Sequence, residues 1–133
     1  MVWDAITDGK RIGQLLASEI DGPDRGVLGS LDVLEADPDV EPATGGAFAY
    51  RIVAGGDERT DVGAAYVHPD RLRVEFETGV RTALDAAAEA GLRARPKATQ
   101  PPRTLVFVES GADVKRSLRV FEAVLEDGPE QTG

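Results

Sequence analysis

From Arg71 to Glu77 the chain alternates without a break: Leu72, Val74 and Phe76 are apolar, while Arg71, Arg73, Glu75 and Glu77 are charged. Successive strand residues point to opposite faces of a sheet, so this segment predicts a strand with one face covered and the other turned to water. A helix would spread the same charges around its circumference. The alternation therefore confines any packing helices to one side of the sheet.

Period-two patterning extends from Val27 to Thr78, broken by Gly and Pro clusters, and predicts four antiparallel strands. They read as Val27 to Ala36, Ala47 to Ala54, Arg59 to His68 and Arg71 to Glu77, the last two joined by a turn at His68-Pro69-Asp70. Before them, Thr7 or Asp8 caps a helix reaching about Ile20, with Ile12, Leu15, Leu16 and Ile20 at helical spacing. After them, Val80 to about Ala90 reads as a second helix ended by Gly91. Arg93 to Arg103, with Pro96, Pro101 and Pro102, reads as an extended connector. Thr104 to Glu109 is a continuous apolar run, the pattern of a strand buried on both faces, and Ala112 to about Glu126 forms a third helix. The order α-β-β-β-β-α-β-α predicts an α+β two-layer sandwich, a mostly antiparallel five-stranded sheet with its helices on one face. Trp3 is expected to staple the first helix to the core.

A chain of 133 residues suits a single domain, expected over 1–127, with 128–133 as a disordered tail. It has no cysteine, which removes disulfides, thiolate catalysis and sulfur-ligated zinc. The start, Met1-Val2-Trp3-Asp4-Ala5, lacks the basic residues and apolar run of a secretion signal. No stretch approaches the roughly 18 to 20 apolar residues of a membrane span, and a cytoplasmic protein is expected.

The charge balance is 24 acidic against 15 basic residues, a net of -9. Only Lys10, Lys97 and Lys115 are lysines, asparagine is absent and aromatic residues are few. This composition resembles that of uncharacterised acidic proteins from salt-accumulating halophilic archaea, in which carboxylates keep a crowded protein hydrated. The resemblance covers the whole chain, carries no catalytic motif, and implies work in a salty cytoplasm.

Three constellations could carry chemistry, and each has a plainer reading. His68 is the only histidine and sits beside a proline turn, where a solvated turn residue is expected rather than a base. Asp37, Asp39 and Glu41 alternate like the opening of a calcium loop, but Pro42 stands where that loop's glycine belongs, so a solvated acidic loop is expected. Ser110-Gly111-Ala112-Asp113-Val114-Lys115 follows a strand and opens a helix, as phosphate-binding turns do. It lacks the second glycine, and Asp113 would itself complement the helix dipole.

Charge segregation is the least ordinary feature. Between residues 93 and 119 stand Arg93, Arg95, Lys97, Arg103, Lys115, Arg116 and Arg119 against Glu109 and Asp113, a local net of +5, which leaves -14 for the remainder. These cations suit either an anion or the protein's own carboxylates. Phe107 and Phe121 both read as core, leaving the segment without aromatics for base stacking.

With no nucleophile, base or metal constellation, the expected function is a non-enzymatic binding or protein-interaction domain. It is expected to form a homodimer, with no cofactor, no metal and no membrane partner. The alternative is an anion-binding protein, taking nucleic acid or a phosphorylated metabolite on the basic segment 93–119. The acidity also makes a prediction about salt, because the Debye length grows from about 3 Å in molar salt to about 30 Å at 10 mM. The melting temperature should fall on dialysis from molar to millimolar KCl; an unchanged value would refute salt adaptation.

Overall fold

The computed structural model describes residues 6–21, 29–55 and 59–127; Trp3, the start of the first expected strand at Val27 and the expected tail lie outside them. Helix α1 (Gly9–Asp21) starts where Asp8 Oδ1 accepts the Arg11 N–H at 3.1 Å, one of the caps anticipated from sequence. Strands β1 (Leu31–Leu34), β2 (Ala47–Ala54), β3 (Thr60–Val67) and β4 (Leu72–Phe76) then form an antiparallel meander. Helix α2 (Val80–Glu89) follows, and Gly91, with φ +81, ends it in the left-handed conformation that favours glycine. Strands β5 (Arg93–Lys97) and β6 (Arg103–Val108) and helix α3 (Gly111–Asp127) complete the order.

The fold is α+β, but among the described residues the sheet has six strands rather than five, in the order β1-β2-β3-β4-β6-β5 with every neighbouring pair antiparallel. The additional strand is β5, which falls within the expected connector. Pro96 argued against a strand there because proline cannot donate to a ladder. At the edge of a sheet that deficit is tolerated, and β5 is an edge. Helix α2 carries the chain from β4 past one strand position, and β6 then inserts between β4 and β5.

The three described helices all cover the face of the sheet to which Leu72, Val74 and Phe76 point. Tyr50, buried in that layer, donates its hydroxyl to the Gly13 carbonyl of α1 at 2.8 Å, and burial pushes its phenol above the ordinary value. Phe76 meets Phe121 of α3 with ring centroids 4.9 Å apart. Thr104 Oγ1 donates to the Val80 carbonyl at 2.6 Å, tying β6 to the start of α2. Each of the fully buried Phe76, Phe121, Ile12 and Leu16 side chains stabilises the fold by about 1.5–3 kcal/mol relative to exposure. Among the described residues no helix is long and apolar enough to cross a membrane.

The β3–β4 hairpin is pinned from outside the sheet. Gly9 donates its N–H to the Pro69 carbonyl at 3.1 Å, drawing the start of α1 against the turn. A Cβ on Gly9 would collide with the His68 carbonyl and lie 2.6 Å from that of Arg71, both rigid backbone groups. Gly9→Ala should therefore lower unfolding stability by about 3 kcal/mol in urea titration. Gly29→Ala, where a Cβ meets nothing within 4 Å, should stay within about 0.5 kcal/mol. Equal effects would show that this approach does not hold the hairpin.

Candidate anion-binding face

Among the described residues no helix covers the other face of the sheet, and its side chains follow from the register. One cross-strand row runs Phe48, Tyr66, Arg73, Phe107, Arg93, and the next runs Arg51, Ala64, Glu75, Leu105, Arg95. Aromatic and cationic residues from five strands are thereby brought side by side. A groove of about 930 Å³ opens over β4, β6 and β5, floored by Leu105 and Phe107.

Glu75 lies beneath this groove and is only 2% exposed. Its carboxylate accepts from Arg73 Nε at 3.0 Å, from Lys97 Nζ at 3.4 Å and from Arg103 Nη1 at 2.9 Å. Burial works to raise the Glu75 carboxyl, but the Arg103 hydrogen bond and the charges of Lys97 and Arg73 outweigh it and hold the group below its ordinary value. Because the folded value is lowered, this contribution to stability is complete above the unfolded value of 4.5 and is lost as pH falls through the folded one. Arg103, in return, is raised by its hydrogen bond to Glu75.

Arg73 is fully engaged. Besides Glu75 it donates from Nη1 to the Gly45 carbonyl at 3.1 Å and to His68 Nε2 at 3.0 Å, and its guanidinium carbon sits 4.6 Å above the Tyr66 ring centroid. Gly46, at φ +90, leaves room for it, since a Cβ there would come 2.8 Å from Nη1. His68 is 3% exposed, which corrects the expected solvated turn residue. The turn is covered by the loop carrying Thr44 and Gly45, a long-range contact that local sequence does not announce. His68 Nδ1 donates to the Thr44 carbonyl at 2.9 Å, leaving Nε2 as the acceptor for Arg73. Burial, foremost, and the neighbouring Arg71 and Arg73 lower the imidazole below its usual value, against the Thr44 hydrogen bond and Asp70. A neutral ring whose two nitrogens are both committed is a structural strut here.

The seven cations of segment 93–119 divide between two layers. Arg93, Arg95, Lys97 and Arg103 stand on the open face, whereas Lys115, Arg116 and Arg119 belong to α3 in the helical layer. Arg93 pairs with Glu109 at 3.1 Å and Arg116 with Asp113 at 2.8 Å. Arg95 makes no ion pair among the described residues; its guanidinium carbon lies 5.7 Å from the Phe107 ring centroid. Arg71, which the segment did not include, approaches the same ring at 5.8 Å and pairs with the exposed Asp70 at 2.8 Å. Phe107 is thus half-exposed on the open face, a correction to its expected place in the core, whereas Phe121 is fully buried.

The other candidates are used internally. Asp113 accepts the Glu109 N–H at 3.1 Å while Ser110 Oγ accepts the Asp113 N–H at 3.3 Å, so both side chains are spent on backbone donors at the start of α3. Asp37 Oδ1 accepts the Asp39 N–H at 3.0 Å in a local turn. Among the described residues no group of three or more histidine and carboxylate side chains could hold a metal ion.

The groove holds Arg71, Arg73, Arg93, Arg95 and Lys97 against Asp70, Glu75 and Glu109, five positive and three negative charges for a net of +2 with His68 neutral. Removing the central carboxylate would take from the three cations the counter-ion they share, leaving Arg103 only Glu77 among the described residues, at 4.0 Å. Lys97 and Arg103 retain 41% and 33% side-chain exposure, so the loss is screened relative to a fully buried pair. Glu75→Gln should cost about 2 kcal/mol of unfolding stability at low salt and less in molar KCl; no loss at low salt would contradict the organising role of Glu75.

Neither a curated protein nor a solved structure matches the chain. A family model does match, over residues 1–132, and by that match the chain belongs to a family of unknown function, DUF7993.

Proposed function

We propose that this chain is a non-enzymatic binding domain that takes an anionic ligand on the open face of its sheet. The observation that carries the reading is the groove with a net charge of +2 on a protein whose net charge is -9. Its cations are not all consumed internally: Arg95 has no acidic partner among the described residues, and Arg93 is 78% exposed in its pairing with Glu109. Arginine forks suit phosphate and carboxylate oxygens, and ligand pockets commonly occupy about 300–1,000 Å³.

The binding reading joins the two sequence expectations, placing the anion on β4, β5 and β6 rather than along segment 93–119. A homodimer built face to face would oppose two grooves of the same sign, so self-association would use another surface. In the salty cytoplasm that the composition suggests, long-range attraction is screened, and close guanidinium contacts would supply the affinity.

A thermal-shift titration with phosphate and sulfate at constant ionic strength tests the proposal. For a dissociation constant of about 1 mM, 10 mM phosphate adds about 1.4 kcal/mol, which raises the melting temperature by about 5 °C. Arg95→Glu should abolish most of that rise, and Arg119→Glu, on α3, should retain it. No rise with either anion between 0.1 and 2 M KCl would overturn the proposal.

A further inference from the structure

Resting on the anion-binding reading, we infer that the ligand is a small phosphate monoester bearing a flat aromatic ring, of the nucleoside monophosphate class. The groove offers two kinds of surface. Guanidinium edges from Arg71, Arg93 and Arg95 suit a dianion. The half-exposed Phe107 ring, approached by the guanidinium carbons of Arg71 at 5.8 Å and Arg95 at 5.7 Å, suits a planar group. Guanidinium planes are weakly hydrated and stack on flat rings, so this cluster is a platform as well as a charge. Inorganic phosphate would use only the edges and leave the platform in water. A ring carrying a phosphate uses both.

The charge favours one ligand of this size over a polynucleotide. A net of +2 matches a single phosphate monoester, whose charge near neutral pH is about -1.5 to -2. At its margins the cationic cluster is flanked by exposed carboxylates, Asp70 among them being one of the three already counted in the groove. Asp70, 74% exposed, stands beside Arg71, and Asp61, 60% exposed, stands with Arg51 toward the opposite side. A strand continuing in either direction would bring further phosphates against carboxylates. Electrostatics thus limit the length of the ligand, while Phe107 and its arginines select for the ring.

Isothermal titration at constant ionic strength separates the components. The probes are adenosine monophosphate, uridine monophosphate, ribose 5-phosphate and a 5′-phosphorylated uridine hexamer. Both nucleotides should bind about tenfold more tightly than ribose 5-phosphate, a ratio at the low end of what base stacking contributes. In Phe107→Leu that ratio should collapse to within about twofold while ribose 5-phosphate keeps its affinity. Should the variant fail to fold, nuclear Overhauser contacts between base protons and the Phe107 ring of the wild-type protein are the expected result, and their absence overturns the inference.

Equal binding of ribose 5-phosphate and the nucleotides would refute ring recognition and leave the anion site standing. No binding of any probe would refute both readings. A hexamer bound over a hundredfold more tightly, with a salt dependence reporting several phosphate contacts, would replace the mononucleotide with a strand.

Discussion

A buried carboxylate surrounded by three cations is the constraint on which the open face of this sheet depends. Glu75 is the fourth of the five residues of β4, and the side chains that reach it come from three strands: Arg73 from β4, Lys97 from the edge strand β5 and Arg103 from β6. A buried charge is costly unless paired and hydrogen-bonded, and here the pairing also fixes where the partners stand. Arg73, held from one side by Glu75 and from the other by His68 and the Gly45 carbonyl, locks the loop before β2 onto the β3–β4 hairpin. The face is therefore preorganised by an internal anion.

The same arrangement accounts for the unequal availability of the basic residues. Those close to Glu75 are neutralised within the protein, as abundant acidic residues would lead one to expect. Further toward Phe107 and the edge of β5 the compensation is incomplete, and Arg95 rests on an aromatic ring in place of a carboxylate. Cation–π contacts of this kind contribute about 0.5–1 kcal/mol at exposed sites and leave the guanidinium edge open to hydrogen bonding. A positive groove can thus persist on a strongly acidic protein because its geometry keeps acids from reaching every arginine.

Much of the scaffold was legible from local pattern. The strand expected from Ala47 to Ala54 matches β2 to the residue, α1 and α2 agree closely with their patterns, and the charged side of β4 faces away from the packed layer as its alternation predicts. The alternation of β4 is a local signal, and so are the caps at Asp8 and Gly91. β5 was missed because Pro96 carries the local signature of a connector, and only its place at the sheet edge makes that proline acceptable. Phe107 was misplaced for a related reason: a run of Leu105, Val106, Phe107 and Val108 does not reveal that one of its faces is uncovered. The site suffered most. Arg71 and Arg73 are far in sequence from Arg95, and only the insertion of β6 between β4 and β5 brings them around one groove, whereas Lys115 to Arg119, close to the connector in sequence, end in the other layer.

The organising role of Glu75 is tested most directly by following its carboxyl carbon-13 chemical shift against pH in the folded protein. A midpoint below the ordinary 4.5 is expected, because Arg103, Lys97 and Arg73 together hold the group ionised against its burial. A midpoint at or above 4.5 would contradict the picture of an internal anion ordering the cationic face.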